Sequence, residues 1–255
     1  MLISTLSLCL RAMRDELAFA YLNFKNHPRG LIMLQALLDA GFRPSLVIEE
    51  DSPAANEGAR EQRQVLKKLP DYDDSGDVEA LCRAHGVPYR SVADHNAPEC
   101  AELIRALPIQ LAILGDTRIL KEGIISACNL GVINVHPGVL PELRGNNPYV
   151  WAVLEGKVQG VTVHFIDRGV DTGPILLKRI LERVPPSYPQ LIRSINTLCG
   201  EALVEALRRM RGGALDLVLQ PVQDTPARKA ASAELKQIAA EKLRERLSEI
   251  DALTR

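Results

Sequence analysis

The chain has no C-x-x-C pair, no marked excess of charge of either sign, no internal repeat and no low-complexity block. It also has no apolar run approaching the ~18–20 residues that span a bilayer as a helix. Each absence removes a class of function. The five cysteines (Cys9, Cys82, Cys100, Cys128, Cys199) are odd in number and scattered, so neither a disulfide framework nor a zinc site is indicated and no metal is expected. A formal net charge of −1 provides no global field for nucleic acid. The local clusters Arg11 to Arg14 and Arg208 to Arg211 read as solvated helix faces. The apolar stretch Leu2 to Leu10 is short, lacks a basic region before it and runs into charge, so it reads as a buried strand rather than a signal peptide. These features fit a reducing cytoplasm and no membrane partner.

What is present is an ordinary globular composition: 255 residues, 46% hydrophobic and 25% charged, enough for one large domain or one domain with a small appendage. Apolar runs of strand length alternate with helical patterns. That alternation predicts βαβ units and an α/β fold, a mostly parallel sheet with helices on both faces. Strands are expected at Leu2 to Leu10, Ser45 to Glu49, a short one opening at Gly86 to Tyr89, then Gln110 to Gly115, Gly131 to Val135, Val161 to Ile166 and Ile175 to Ile180. Gln110 to Gly115 is continuously apolar and predicts a strand buried on both faces. Helices are expected at Leu31 to Ala40, stopped by Gly41, at Glu99 to Leu107 and at Pro189 to Arg211. The boundary is set at 212, with residues 213–255 forming a short linker, an edge strand near Asp216 to Gln220 and a helix-prone tail from Ala233 to Leu253.

The chemistry concentrates between Gly131 and Leu176. Asn134-Val135-His136-Pro137 ends one strand, Arg144-Gly145-Asn146-Asn147-Pro148 follows, and Val170-Asp171-Thr172-Gly173 forms a later turn. An amide, an imidazole and a carboxylate at strand ends and in Gly/Pro-rich turns are exposed to a ligand while the strands stay buried. Asn134 and His136 are two residues apart, so in a strand their side chains share a face and can reach one carbonyl oxygen. These three groups together can run acyl transfer to an amine: the amide stabilises an oxyanion, worth about 3–4 kcal/mol per preorganised donor. The imidazole moves protons, a contribution of about 10²–10⁴-fold in rate. His164, in Val161-Thr162-Val163-His164-Phe165, reads as core packing rather than chemistry.

The same residues carry a family resemblance. Asn134-Val135-His136-Pro137 with Leu140-Pro141, then Arg144-Gly145, Gly160-Val161-Thr162-Val163-His164 and Val170-Asp171-Thr172-Gly173, resembles the formyltransferases that use 10-formyltetrahydrofolate. That family includes methionyl-tRNA, glycinamide ribonucleotide and sugar N-formyltransferases. The likeness is close over roughly Leu111 to Lys178. It implies a Rossmann-like fold, an N-formyltransferase activity and a folate co-substrate. It implies catalytic roles for Asn134, His136 and Asp171, the last as partner of His136 and proton relay. It places the pterin near Leu114, Gly115, Asp116, Arg118, Ile119 and Leu120, held by backbone groups, with Asp167 and Val170 on the other side. It places the acceptor near Arg144, Gly145, Asn146 and Asn147.

The resemblance departs at the first β–α junction. The glycine-rich phosphate cradle of glycinamide ribonucleotide formyltransferase is missing, since no glycine precedes Gly30. Residues 11–30 read instead as an inserted, partly charged segment in which Arg11, Arg14, Lys25, His27 and Arg29 are candidates to hold an anionic group of the acceptor. The tail is too short and too helical for the β-barrel domain of methionyl-tRNA formyltransferase. The expected acceptor is therefore a small-molecule amine, an amino sugar or an amino acid-like amine. A hydrolase releasing formate from 10-formyltetrahydrofolate, and a methionyl-tRNA formyltransferase-like enzyme lacking the second domain, stand as alternatives. The charged C-terminal helix offers a homodimer contact.

Overall fold

The computed structural model describes residues 17–214 and 216–253. Among them, seven strands form one sheet in the order β3-β2-β1-β4-β5-β6-β7. They are β1 (Phe19–Phe24), β2 (Leu46–Glu50), β3 (Tyr89–Val92), β4 (Leu111–Leu114), β5 (Gly131–His136), β6 (Gly160–Phe165) and β7 (Ile175–Ile180). The first five strands run parallel; β6 is antiparallel to β5, and β7 to β6. The helices are α1 (Pro28–Asp39), α2 (Pro53–Leu66), α3 (Val78–His85), α4 (Pro98–Arg105), α5 (Glu122–Ile125), α6 (Pro148–Leu154), α7 (Tyr188–Arg211) and α8 (Ala233–Leu253).

Side-chain alternation along the strands builds the two faces of this α/β sandwich. In β1, Phe19 and Tyr21 enter the core shared with Met33, Leu34 and Leu37 of α1 and Leu191, Ile195 and Leu203 of α7. Ala20 and Leu22 point to the opposite core, with Ile104 of α4 and Ile124 of α5. The same division places Ile113 and Ile133 on one side and Ala112, Leu114 and Val132 on the other. α1 and α7 approach closely at Gly200, where a Cβ would lie 3.0 Å from Ala36 Cβ.

Two expectations are corrected, the reading of residues 11–30 as an insertion and the edge strand at Asp216 to Gln220. The predicted strand Leu2 to Leu10 lies outside the described residues, and an interior strand of the sheet is Phe19–Phe24, inside what reads in sequence as a charged insertion. The strand is only six residues long and is bracketed by Asp15, Glu16 and Lys25, so the local charge density hides it. Its pairing with both β2 and β4 decides the matter. The first β–α junction is thus the short Lys25-Asn26-His27 turn, which still carries no glycine. Asp216 to Gln220 forms no strand, only an isolated bridge from Val218 to Ile175.

The chain runs outward from β1 to β2 and β3, then returns to place β4 and β5 on the other side. This reversal between β1 and β4 opens a crevice at the carboxyl ends of the strands. Beneath it runs a buried polar chain. Glu49 accepts hydrogen bonds from Asn23 Nδ2 (3.1 Å), the Asn26 N–H (2.8 Å) and Tyr89 Oη (3.0 Å). Asn23 Oδ1 in turn accepts from the Asp116 N–H (3.1 Å).

Burial pushes the Glu49 carboxyl up to about 7, against the lowering effect of its three donors. A carboxyl raised in the fold binds a proton that the unfolded chain has already released, so its contribution to stability falls as pH rises from 4.5 to about 7. Glu49→Gln keeps the shape and removes the titration. Denaturant midpoints measured at intervals across that window should show the variant gaining on the wild type, by roughly 3 kcal/mol at the upper end. A constant difference across the window would refute the assignment.

Candidate active site

β5 delivers Asn134 and His136 to one face. Register with antiparallel β6 sets His164 directly opposite Asn134, and Thr162 opposite His136. The β6–β7 turn then folds back and brings Asp171 to both histidines. Asp171 Oδ2 lies 3.5 Å from His136 Nδ1, and Oδ1 lies 3.6 Å from His164 Nε2. Oδ2 also accepts the Gly145 N–H at 2.8 Å. Asp171 has φ +55°, the left-handed region that a non-glycine residue occupies at a cost of ~1–3 kcal/mol and keeps only when its surroundings fix it.

The electrostatics follow from these contacts. Burial alone would raise the Asp171 carboxyl, but His164, His136 and the Gly145 N–H together outweigh it and hold the group at about 2. Burial pushes His136 below its ordinary 6.5, with the Asp171 charge and the Leu143 carbonyl acting the other way. His136 Nε2 is 2.7 Å from the Leu143 carbonyl, so that nitrogen carries the proton and Nδ1 faces Asp171. His164 Nδ1 meets the Phe165 carbonyl at 2.8 Å, and Nε2 stands between Asn134 Nδ2 (3.2 Å) and Asp171 Oδ1 (3.6 Å): without a proton it accepts from Asn134, with one it donates to Asp171. Asn134 keeps its second amide hydrogen for a ligand.

The loop after β5 is pinned from below. Thr162 Oγ1 donates to the Gly138 carbonyl (2.8 Å) and accepts from the Leu140 N–H (3.1 Å). This loop carries the Leu143 carbonyl that fixes the His136 ring.

All four side chains, Asn134, His136, His164 and Asp171, line a cleft of about 820 Å³. One group of linings comes from the segment after β4 and from the β6–β7 turn: Leu114, Thr117, Arg118, Ile119, Leu120, Ile166, Asp167 and Val170. A second group comes from the β1–α1 turn, α2, α6, α7 and the tail: His27, Arg29, Gln62, Tyr149, Tyr188, Asn196 and Lys236 among them. Asn146 and Asn147 line the cleft as well.

Several expectations change. Gly115 does not line the cleft; it sits under Tyr21, whose Oη would be 2.4 Å from an added Cβ, and its role is to let the strands' ends close. Arg144 does not line it either, because its guanidinium turns to the Thr225 carbonyl (3.2 Å). Asp116 binds Arg29 (2.7 Å) and approaches His27 (3.4 Å). Arg29 is therefore neutralised, Lys25 is paired with Asp51, and burial pushes His27 down to about 4, so none is a bare cation for an anionic acceptor. Arg118 reaches the cleft while clasped by Glu50 and Asp94. Arg11 and Arg14 lie outside the described residues. His164, which reads as packing in sequence, is buried yet contacts two of the three predicted chemical groups. Period two along β6 puts His164 on the face of Thr162, but that this face meets Asn134 is set by strand pairing and not by local sequence. Tyr149, Tyr188 and Asn196 carried no local signal, being brought in by helix packing.

Comparison with known proteins gives the family and the fold. The family model for formyl transferase matches residues 45–207. A methionyl-tRNA formyltransferase of Anaeromyxobacter dehalogenans (strain 2CP-C) is 42% identical over 155 residues, covering 59% of this chain and 50% of that protein. The chain thus spans about half the length of the curated relatives it matches. Among solved structures, glycinamide ribonucleotide transformylase 1 from Symbiobacterium toebii superposes with a TM-score of 0.59 at 22% identity, over 80% of this chain and 94% of that one. A formyltetrahydrofolate deformylase from Pseudomonas syringae pv. tomato gives a TM-score of 0.59 at 18% identity, over 82% and 67%. At these identities the structures establish the shared fold.

Gly138 tests the built geometry. A Cβ there would stand 2.9 Å from His136 Nε2 and 2.5 Å from Pro148 Cβ. Gly138→Ala should displace the ring from the Leu143 carbonyl and destabilise the fold by about 1–3 kcal/mol, read from denaturant unfolding. An unchanged midpoint would show that the site yields without strain.

Proposed function

Because the chain belongs to the formyl transferase family, we propose that it transfers a formyl group from 10-formyltetrahydrofolate to the amine of a small-molecule acceptor. The observation that carries this reading is the convergence of Asn134, His136 and Asp171 in one cleft roomy enough for two ligands. The folate end is the group of linings after β4 and in the β6–β7 turn, where Leu114, Ile119, Leu120 and Ile166 offer an apolar wall. The acceptor end is the second group.

The neutral amine attacks the formyl carbon and a C–N bond forms. Negative charge moves to the formyl oxygen, which the second Asn134 N–H stabilises. The attacking nitrogen gives up a proton, for which His136 Nδ1 is the basic position because Nε2 is already committed to the Leu143 carbonyl. Asp171, ionised throughout at about 2, balances the imidazolium. The proton passes to the folate nitrogen as the bond from that nitrogen to the formyl carbon breaks, leaving tetrahydrofolate and the formamide.

The acceptor end combines tyrosines (Tyr149, Tyr188) with carboxamides (Gln62, Asn146, Asn147, Asn196). Its cations are matched by acids, Arg29 with Asp116 and Lys236 with Glu61. Such a surface suits an amino sugar or an amino acid-like amine. A methionyl-tRNA acceptor is the second reading, favoured by the 42% identity to a methionyl-tRNA formyltransferase.

The test is incubation with 10-formyltetrahydrofolate and a panel of amino sugars, amino acids and methionyl-tRNA, with formyl incorporation read by mass spectrometry. Incorporation into a small amine supports the reading; incorporation only into methionyl-tRNA replaces the acceptor. Rapid formate release without any acceptor identifies a hydrolase instead. With a productive acceptor, His136→Ala and Asp171→Asn should each lower kcat by about 10²-fold or more with folate binding retained. Near-normal turnover in either variant removes that residue from the mechanism.

A further inference from the structure

The segment after α7 crosses the site as a strap. Val218 pairs with Ile175 through two backbone hydrogen bonds of 2.8 and 2.9 Å. Gln220 then turns its amide inward and donates from Nε2 to the carbonyls of Asp171 (3.0 Å) and Gly173 (2.7 Å). Further on, Arg228 lies alongside Gly145. Its N–H donates to the Arg144 carbonyl (3.0 Å), and its own carbonyl accepts the Asn146 N–H (2.9 Å). The Arg228 guanidinium anchors this pairing with a fork onto Glu155 (2.9 and 2.7 Å) and a bond to the Glu142 carbonyl (2.5 Å). Gly145 has φ +96°, and a Cβ there would meet the Arg228 carbonyl oxygen at 2.2 Å, so strap and loop fit without space to spare.

We propose that Gln220 and Arg228 are positioning residues for Asp171. Asp171 is held at two points beyond the histidines: its own turn, and the Gly145 N–H on its carboxylate. Gln220 fixes the first by tying the carbonyls on either side of the turn. Arg228 fixes the second by pairing with the backbone on either side of Gly145. A left-handed aspartate needs such support, since nothing in its own conformational preference keeps it there. Gln220 meets Asp171 only at its backbone carbonyl, and the Arg228 hydrogen bonds go to Arg144, Asn146, Glu142 and Glu155. Each acts through the place where the carboxylate stands, and a shift of about 1 Å in a catalytic group is enough to cost about 10²-fold in rate.

The inference rests on the reading of Asp171 as the partner of His136, so the experiment reads geometry rather than turnover. In the full ¹⁵N-labelled chain, the ring nitrogens of His136 are assigned by their loss in His136→Gln. Asp171→Asn then defines the displacement expected when the carboxylate is removed. Gln220→Met, of similar volume but without a donor, should move the His136 ring signals at least halfway to the Asp171→Asn position. It should also raise amide exchange at Gly145 at least tenfold. The ring signals of His95, buried against Glu50 and Ile48, should stay in place as the control for intact folding. Arg228→Lys keeps the charge but loses the fork, and should shift the same signals in the same direction; it carries the test if Gln220→Met does not fold. His136 signals and Gly145 exchange at wild-type values in both variants would overturn the proposal, as would an Asp171→Asn spectrum identical to wild type. A chain that shows these responses but formylates no acceptor loses its proposed activity and keeps the strap.

Discussion

Asp171 is an ionised carboxylate held in a mostly buried turn. Taking such a charge out of water is costly unless partners replace the lost solvation. Here the Gly145 N–H does so directly, and the two imidazoles facing the oxygens do so when they carry a proton on the facing nitrogen. Those partners come from three separate stretches, β5, β6 and the loop before α6, and the turn brings the carboxylate to them. Each stretch must therefore arrive in register for the charge to be tolerated. The switch from parallel to antiparallel pairing at β6 is what allows this, because it places His164 beside Asn134 and lets the following turn fold back toward His136.

The grouping of Asn134 with His136 was legible in sequence because it depends on close spacing. Asn134 and His136 share a strand, and Pro137, Pro141 and Gly145 mark the turn that follows. Asp171 was legible through its glycine-framed turn. The strand pattern from Gln110 onward was legible for the same reason, as were the long α7 and the tail helix. What escaped depended on distant pairing. Phe19–Phe24 is a six-residue apolar run among charges, and only hydrogen bonding to two neighbours makes it an interior strand of the sheet. Gly115 looked like a ligand-facing glycine; it is a glycine because Tyr21 lies over it. Arg144 looked like a substrate cation; the returning tail supplies the carbonyl that captures it. In each case the sequence shows the residue's chemistry but not the neighbour that uses it.

The crevice between β1 and β4 and the reactive groups on β5 are joined by the segment after β4. Asp116 closes the gap: its N–H is held by Asn23 of β1, and its carboxylate by Arg29 at the start of α1. The buried Glu49 sits at the base of this chain through Asn23. The floor of this part of the cleft is thus a set of hydrogen-bonded polar groups whose geometry is fixed before any ligand arrives. Preorganisation of this kind removes the ordering cost that a flexible polar floor would impose on binding.

Charge pairing narrows what that floor can receive. A phosphate-bearing acceptor needs uncommitted donors, either a glycine-lined turn or bare cations. The Lys25-Asn26-His27 turn has no glycine, and its neighbouring cations Lys25 and Arg29 already face Asp51 and Asp116. Across the cleft, Lys236 of the tail helix faces Glu61 of α2. Binding an anion at either place means parting an existing ion pair and leaving a carboxylate beside the incoming charge. A neutral or zwitterionic amine meets no such penalty, and the carboxamides and tyrosines offer it both donors and acceptors. Under the proposed function, the electrostatics that keep this end of the cleft neutral would filter the acceptor, apart from the groups on β5 and the Asp171 turn.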